Sequence, residues 1–425
     1  MFGTLTTLQP KERQEAGPSA IPVISRVIRS HMEKSGAYVR MEGWASLEEY
    51  NPEFFEVNKK DTSLTLRRRK HKWCFLKVML KDRVFKDIGE SIDIDAIAYR
   101  PLTSYYSHAW KLIFKRAAQV VDWLISKEAS MATTTKGFLH IVNNYNDRCL
   151  EFVADLMEEK GCSFEEAFLQ LPAIEVETHD IKDFFTACNT KIAIQLIRER
   201  VQHYKKQGFK YFVLQTEKAY EKRVQYHNTT RKQIIKANTT VDFSVEKPRR
   251  EVSVSKFKPI FAHWISLDGL RNILQHDISH VFVRSHGKLF RQVSGGPMGS
   301  PTMCALANSF GCQQERVWRS KVSKEERPSM HKRYVDDSFS IKLKTLAQGK
   351  YPTYQGCKLK DTTAEAEFLG MNFTTFMDRL ISLKPKHESM WKVLPPLSYL
   401  TNTQRKGLER GKLVRRKLNS THFQT

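Results

Sequence analysis

The chain has 425 residues, of which 40% are hydrophobic and 11% aromatic, and its 70 Lys and Arg against 46 Asp and Glu give a formal net charge of +24. This composition excludes an intrinsically disordered protein, and the length allows one large body with subdomains. No uninterrupted apolar run approaches the roughly 18 residues of a membrane span, and the N-terminus lacks a basic and apolar secretion signal. The sequence therefore predicts an intracellular protein with no membrane partner, whose charge favours a polyanion, above all nucleic acid.

The first part of the chain predicts a hairpin followed by helices. Residues 1–45 are mixed polar and predict a loosely ordered extension. In residues 73–100, two apolar runs surround a polar turn, which predicts a long basic hairpin. Apolar residues at helical spacing predict helices within residues 104–128 and from residue 146 onward.

The second part alternates strands and helices. Strands are predicted at residues 173–181 and 209–215, on either side of a helix at 190–208. A hairpin about Ser285 to Lys288, a helix from Ser300 and a strand hairpin over residues 333–343 follow. The polar, basic segment 223–257 predicts a solvent-facing insertion.

Two adjacent acids interrupt the last hairpin. Successive side chains of a strand point to opposite faces, so Asp336 and Asp337 can approach one site only where the backbone bends. We therefore expect a tight turn at Asp336-Asp337. The flanking residues are expected to be buried strand: Tyr334, Val335, Phe339 and Ile341.

A third acid, Asp180, follows an alternating apolar strand. Carboxylates from two different strands commonly hold two Mg²⁺ ions about 3.5–4 Å apart, because hard divalent cations take oxygen ligands. Asp180 and Asp336 could form such a clamp. The alternative is that Asp180 only ends a strand and caps the next turn.

A glycine-rich loop lies between these acids, within residues 292–308. Gly295, Gly296 and Gly299 allow the backbone to approach a ligand closely, and Ser300-Pro301 suits the cap and first turn of the next helix. A plain junction between a loop and a helix is the alternative.

The order of these features resembles that of a known enzyme class. An acid followed by two aromatics, a glycine-rich loop that opens a helix and Tyr-x-Asp-Asp in a hairpin resemble motifs A, B and C of reverse transcriptases. The segments "DIKDFFT", "SGGPMGSP", "YVDD" and "AEFLGMNF" are most similar to Penelope-like element reverse transcriptases, which are related to telomerase. The resemblance covers about residues 75–420.

The resemblance implies an α+β right-hand polymerase. Fingers and connecting helices would occupy residues 46–170, an antiparallel-sheet palm residues 171–383, and a partial basic thumb of short helices residues 384–425. One departure is that Gly295-Gly296 stands where retroviral enzymes have Gln-Gly.

The resemblance also implies roles for individual residues. Two Mg²⁺ ions, or Mn²⁺, would be held by Asp180, Asp336 and Asp337. Substrate binding would involve Lys77, Arg100, Asp183, Phe184, Phe185, Gly296 and Gly299. Nucleic acid would be bound by Phe368, Leu369, Gly370, Met371, Arg415, Arg416 and Lys417. Phe185 would lie beneath the nucleotide sugar and exclude ribose, unless it is a core aromatic.

The implied activity is that of an RNA-directed DNA polymerase from a Penelope-like retroelement. A primer 3′-hydroxyl would attack the α-phosphate of a dNTP on an RNA template, with pyrophosphate leaving. The expected partners are RNA template, DNA primer and dNTP, and the expected location is the nucleus. Two alternatives stay open, an RNA-dependent RNA polymerase and a domesticated, non-catalytic nucleic-acid-binding protein.

Overall fold

A computed structural model of the chain describes residues 32, 36–41, 59–66, 74–80, 99–106, 108–132, 134–214, 252–259, 262–285, 288–293, 295–345, 350–361, 366–369 and 371–384. These residues form helices and mainly antiparallel sheets, as the α+β prediction requires. The chain divides into two compact units. Of the described residues, the first unit contains those within 128–184 and 314–384, and the second contains those within 32–127 and 185–313.

The helices and strands of the described residues are numbered in chain order. The helices are α1 (Lys111–Ile125), α2 (Thr135–Lys160), α3 (Phe164–Leu169), α4 (Thr190–Lys206), α5 (Leu267–Ser279) and α6 (Met303–Lys321). The strands are β1 (Tyr38–Met41), β2 (Cys74–Leu80), β3 (Tyr99–Ser104), β4 (Ile174–Lys182), β5 (Tyr211–Leu214), β6 (Val252–Ser255), β7 (His263–Ser266), β8 (Phe282–Ser285), β9 (Lys288–Gln292), β10 (Met330–Tyr334), β11 (Asp337–Leu343), β12 (Lys358–Asp361), β13 (Ala366–Phe368), β14 (Met371–Phe376) and β15 (Leu380–Lys384). None of the described helices is long and apolar enough to cross a membrane.

The first unit contains two antiparallel sheets. One has the strand order β10-β11-β4-β12 and the other the order β13-β14-β15. Period-two alternation turns the apolar residues of β4 and β11 to one face. A hydrophobic core joins that face to α2 and the smaller sheet through Phe138, Phe339, Phe368, Phe373 and Ile381. Phe138 packs edge-on against three of these rings at centroid distances of 4.8–5.6 Å.

Helix α2 is longer than we predicted from the sequence. It begins after Thr134, whose Oγ1 accepts a hydrogen bond of 3.0 Å from the Gly137 amide, and it ends at Gly161 with φ of 59°. A side-chain cap at the start and a left-handed glycine at the end are standard helix boundaries. The prediction of a helix from residue 146 onward therefore missed its first three turns, although Phe138, Ile141, Val142 and Tyr145 stand there at helical spacing.

The second unit also contains two sheets, with the strand orders β1-β9-β8-β2-β3 and β6-β5-β7. Antiparallel pairing of β2 with β3 confirms the predicted basic hairpin, although β3 continues to Ser104 and residues 81–98 lie outside the described residues. The predicted hairpin about Ser285 to Lys288 is confirmed by β8 and β9. An aromatic stack of Trp110 on His276, with ring centroids 4.0 Å apart, packs α1 against α5.

Some predictions fall on residues that the structure does not describe. They concern nearly all of the N-terminal extension 1–45, most of the insertion 223–257, and the thumb from residue 385 onward.

Candidate active site

The strands that carry the predicted metal ligands lie side by side in the first unit. β4 and β11 are antiparallel, and their register places Asp180 directly opposite Asp337. Paired side chains of this kind lie on one face of a sheet, with Cβ atoms about 4.5–5.5 Å apart. Along the rest of both strands the same face holds the buried Thr178 and five apolar residues of the core: Ile174, Val176, Phe339, Ile341 and Leu343. The apolar face therefore ends at two carboxylates.

The third acid lies in the turn between β10 and β11. The pair Tyr334–Asp337 closes the hairpin, so its two loop residues are Val335 and Asp336. The predicted turn at Asp336-Asp337 was thus one residue too late, and Tyr334, 41% exposed, is not the buried residue that we expected. Val335 has φ of 56°, a left-handed conformation that β-branched residues rarely adopt and that sequence propensity disfavours. The Ile181 amide donates to the Asp336 carbonyl at 2.7 Å, which ties the turn to β4.

The acids repel one another electrostatically. Part of the Asp337 side chain is accessible to solvent. Partial burial, together with the charges of Asp336, Asp180 and Glu367, raises its pKa to about 6. Lys182 offsets part of this charge, because its Nζ lies 2.5 Å from Oδ2 of Asp180. A carboxylate with a raised pKa among other acids is a common feature of functional sites.

Carboxylate oxygens are suitable donors for Mg²⁺ or Mn²⁺. A divalent cation would also relieve the repulsion that raises the Asp337 pKa. In the arrangement described, however, no three His, Cys, Asp or Glu side chains among the described residues form a group that could hold a metal ion. Lys182 occupies one oxygen of the Asp180 carboxylate in this arrangement.

A buried ion pair supports the turn, and sequence reasoning missed it. The side chains of Arg333 on β10 and Glu315 on α6 are both fully buried, and Nε of Arg333 lies 2.5 Å from Oε1 of Glu315. Tyr354 donates to the same carboxylate oxygen at 2.8 Å, and Ser130 donates to the other oxygen. Burial disfavours the Glu315 carboxylate, but the charges of Arg333 and His331, with the hydrogen bonds from Arg333 and Ser130, keep its pKa below the ordinary value. Eighteen residues separate Arg333 from Glu315, so no local pattern indicates the pair.

Arg333 contacts both predicted motifs of the first unit. Its Nη1 donates to the Val335 carbonyl at 2.8 Å, and its guanidinium lies 5.2 Å from the ring centroid of Phe184. Phe184 is 2% exposed and packs edge-on against Tyr354. The Phe184 side chain is therefore part of the core, and only its backbone could meet a nucleotide. Asp183 beside it is exposed and left-handed, with φ of 60°.

In the second unit, the glycine-rich loop packs closely against two other segments. A Cβ on Gly296 would lie 3.1 Å from the carbonyl oxygen of Phe185 and closer still to Met303. A Cβ on Gly299, where φ is 101°, would lie 2.4 Å from the Thr103 carbonyl oxygen. Thr103 also donates its amide to the Met298 carbonyl at 2.6 Å. The glycines therefore let the loop lie against β3 and the half-buried Phe185, whether or not a ligand binds there.

A second buried acid, Asp277 on α5, holds the end of this loop and was also missed. Its carboxylate is 2% exposed and accepts a hydrogen bond of 2.9 Å from the Tyr105 hydroxyl. The hydroxyls of Ser300 and Thr302 donate to its other oxygen. Burial raises the pKa of Asp277, and the three hydroxyl donors oppose that rise. Helix α6 begins only at Met303, so Ser300 bonds to Asp277 and to the Thr302 amide before the helix rather than opening it as we expected.

The fingers residues of the prediction lie on the paired strands β2 and β3. Lys77 is opposite Leu102 and Arg100 is opposite Met79 in that register. The placement of both side chains lies outside what the structure describes.

The segment 368–371, which the resemblance assigns to nucleic-acid binding, connects β13 to β14. Phe368 and Met371 are 1% and 5% exposed and belong to the hydrophobic core, so their side chains support the turn. Leu369 between them is left-handed, with φ of 54°, and packs partly against that core. Gly370, Arg415, Arg416 and Lys417 lie outside the described residues.

Neither a protein-family model nor a curated protein matches the chain. Solved structures that are similar to it include apo telomerase from Candida tropicalis, with 13% identity and a TM-score of 0.44 over 85% of this chain and 52% of that chain. Telomerase from Candida albicans in complex with the TWJ fragment of telomeric RNA matches with 11% identity and a TM-score of 0.39, over 81% of this chain and 54% of that chain. The corresponding complex from Candida tropicalis matches with 12% identity and a TM-score of 0.44, over 91% and 52%. The chain thus spans about half the length of these structures, and the likeness at this level establishes no family.

Proposed function

We propose that the chain is an RNA-directed DNA polymerase of a Penelope-like retroelement, with a right-hand arrangement of fingers, palm and thumb. The observation that carries the proposal is the pairing of Asp180 with Asp337 at the end of an apolar sheet face, with Asp336 in the adjoining turn. The fold gains nothing from grouping these like charges, because burial together with the charges of the neighbouring acids raises the Asp337 pKa. A role in binding a cation explains why they are together.

In this proposal Asp180, Asp336 and Asp337 hold the metal ions. When bound, two Mg²⁺ ions supply Lewis acidity that activates the primer 3′-hydroxyl and neutralises charge on the triphosphate. Lys182 balances the charge of Asp180 before the cation binds and releases that carboxylate afterwards. Arg333 and Glu315 are positioning residues, since they fix the turn that presents Asp336.

The glycine-rich loop and Phe185 contact the nucleotide in this proposal. Support comes from the close approach of Gly296 to the Phe185 backbone and of Gly299 to β3. Asp277 would keep the loop in this position, because it accepts hydrogen bonds from both Ser300 and Thr302.

A second candidate is a non-catalytic nucleic-acid-binding protein. The observation in its favour is that Lys182 is bonded to Asp180, and that the described His, Cys, Asp and Glu side chains form no group of three that could hold a metal ion. In that case the net charge of +24 would serve binding alone.

A primer-extension assay tests the proposal. A DNA primer annealed to an RNA template is incubated with dNTPs and Mg²⁺, and fluorescence anisotropy measures binding of the same primer-template. We expect extension by the wild type, no extension by Asp180→Ala or Asp336→Ala, and similar binding by all three, since Lys and Arg dominate affinity.

Asp378→Ala is the matched control, because Asp378 is an exposed acid of the same unit that pairs with Lys344. Its extension should equal that of the wild type. Binding without extension by the wild type would favour the second candidate. Equal extension by the wild type and both acid variants would refute the metal-binding role. Replacing dNTPs by rNTPs in the same assay separates a DNA-making from an RNA-making enzyme.

A further inference from the structure

A polar groove runs between α4 and α5 of the second unit, and nothing in the proposed polymerase chemistry uses it. It is lined by Lys191, Ile194, Gln195, Arg198, Glu199, Gln202, His203, Lys206, Arg271 and Gln275. Four of these residues are cations and only one is an acid. The groove is therefore a concentrated positive surface.

Helical spacing produces this surface. Lys191, Gln195, Arg198, Gln202 and Lys206 recur every three or four residues of α4, and all are exposed. They form one stripe that is roughly 22 Å long, at 1.5 Å per residue. The opposite side of α4 is buried and apolar, with Ala193, Leu196, Ile197 and Val201. The stripe thus contributes nothing to the core.

The cations of the groove are not neutralised by neighbouring acids. Lys191, Arg198, Lys206 and Arg271 form no ion pair with any described residue, whereas the adjacent Lys205 is bonded to Asp268 of α5. The one acid of the lining, Glu199, accepts a hydrogen bond of 3.3 Å from Gln195. The α4 cations of the groove are seven or eight residues apart, so they form none of the i,i+4 pairs that stabilise a helix, and helix stability does not explain the stripe.

We infer that this groove binds the sugar–phosphate backbone of a nucleic acid, through residues other than the proposed metal ligands. Phosphate oxygens are contacted in proteins by Arg and Lys, and also by Gln side chains such as Gln195, Gln202 and Gln275. The alternation of cations with neutral amide donors along the groove suits a ligand that carries regularly spaced single charges. Of the residues that line the groove only His203 has an aromatic ring, and that ring is hydrogen-bonded to Gln207. Backbone contacts are therefore expected to dominate, and binding is expected to be largely independent of sequence.

The test compares two variants that each remove three positive charges. The groove variant is Lys191→Ala/Arg198→Ala/Arg271→Ala, and the control is Lys115→Ala/Lys127→Ala/Lys321→Ala, which changes exposed lysines elsewhere. Fluorescence anisotropy measures binding of labelled single-stranded RNA and of an RNA–DNA duplex over a range of salt concentrations. Comparison of the two probes shows whether the groove binds the sugar–phosphate backbone of a single strand or of a duplex.

We expect the groove variant to bind at least one probe more weakly and to lower the slope of log affinity against log salt by about 2–3, since each phosphate contact contributes roughly 0.9. The control should change the slope by less than the roughly 0.9 that one phosphate contact contributes. Lys191→Arg/Lys206→Arg should bind as the wild type does, because the charges are kept. All of these substitutions are at exposed positions, and circular dichroism checks that each variant is folded.

Equal loss by groove variant and control would overturn the inference, since net charge alone would then explain binding. Tight binding of poly-glutamate that is lost in the groove variant, with unchanged RNA binding, would also overturn it and identify an acidic peptide as the ligand. The measurement does not require catalysis. Repeating it in an Asp336→Ala background separates failure of the groove from failure of the proposed polymerase.

Discussion

Each of the two units contains an acid whose pKa is raised, and the surroundings of these two acids differ sharply. In the second unit Asp277 is fully buried, and its carboxylate receives three hydroxyl hydrogen bonds. In the first unit Asp337 is surrounded by the like charges of Asp336, Asp180 and Glu367. Asp277 is thus satisfied by the fold, whereas Asp337 is left in a site where its charge is unfavourable.

This difference indicates which acid serves structure and which serves function. A buried polar group that is fully hydrogen-bonded specifies a local structure, here the end of the glycine-rich loop. A cluster of partly desolvated carboxylates with few donors is expected where a cation or a substrate completes the site. The first unit contains an acid of each kind. Glu315 is paired and fully hydrogen-bonded, and it lies close to the turn that carries Asp336.

The largest expected effect comes from breaking the satisfied pair of the first unit. Glu315→Ala leaves the Arg333 guanidinium buried and unpaired, which should lower the free energy of unfolding by about 3–5 kcal/mol. Urea denaturation measures this loss. Glu326→Ala removes an exposed acid that pairs with Lys350 and should leave the free energy nearly unchanged.

A double variant keeps that prediction informative if Glu315→Ala unfolds. Glu315→Leu/Arg333→Met replaces both charges by apolar side chains of similar size and should recover much of the lost stability. Equal destabilisation by Glu315→Ala and Glu326→Ala would show that the buried pair does not support the unit.

An intermediate effect is expected at Asp277. Asp277→Leu deprives the hydroxyls of Tyr105, Ser300 and Thr302 of their acceptor, at a cost of about 1–3 kcal/mol. Asp277→Asn keeps one carbonyl acceptor and should cost less. Thermal unfolding compares them with Asp268→Leu, a change at an exposed residue of the same helix. An Asp277→Leu variant as stable as Asp268→Leu would contradict the structural role of Asp277.

The smallest effect concerns the strained turn beside the acids. Val335→Gly relieves a left-handed conformation that costs a β-branched residue about 1–3 kcal/mol, against an entropic cost of glycine of roughly 0.5–1 kcal/mol. The Gly variant should therefore be more stable than Val335→Ala, which keeps the Cβ and its strain. Urea denaturation of the two variants decides the order. The usual order, with Ala more stable than Gly, would show that the turn is not strained.

Local patterns in the sequence predicted β4, the β10–β11 hairpin and the acids of the first unit, but not β12 to β15. Alternating apolar residues identify β4 and β11, and the acids at their ends stand out because they interrupt that alternation. The position of the turn was wrong by one residue, since no propensity places the β-branched Val335 in a left-handed conformation. Metal-ligand chemistry suggested that Asp180 and Asp336 act together, and the sequence resemblance supported that pairing and added Asp337.

Long-range pairs could not be predicted in the same way. Tyr105 and Asp277 are 172 residues apart and Ser130 and Glu315 are 185 apart, so only the folded chain brings them together. Phe368 and Met371 were assigned to nucleic-acid binding from a motif, and the structure buries both side chains because β13 and β14 pack on α2 and β11. Burial of an apolar motif residue depends on its tertiary neighbours, which the motif does not specify.

The most direct test of the central claim, that the carboxylates at the sheet end are grouped to bind a cation, is thermal unfolding of the wild type and Asp337→Asn with and without Mg²⁺ at matched ionic strength. Without Mg²⁺, Asp337→Asn should be at least as stable as the wild type, because it removes a repelling charge. With Mg²⁺, the wild type should gain stability, by about 1.4 kcal/mol at a concentration ten times Kd, and Asp337→Asn should gain much less. A variant that is less stable than the wild type without Mg²⁺, and that responds equally to the ion, would contradict the account.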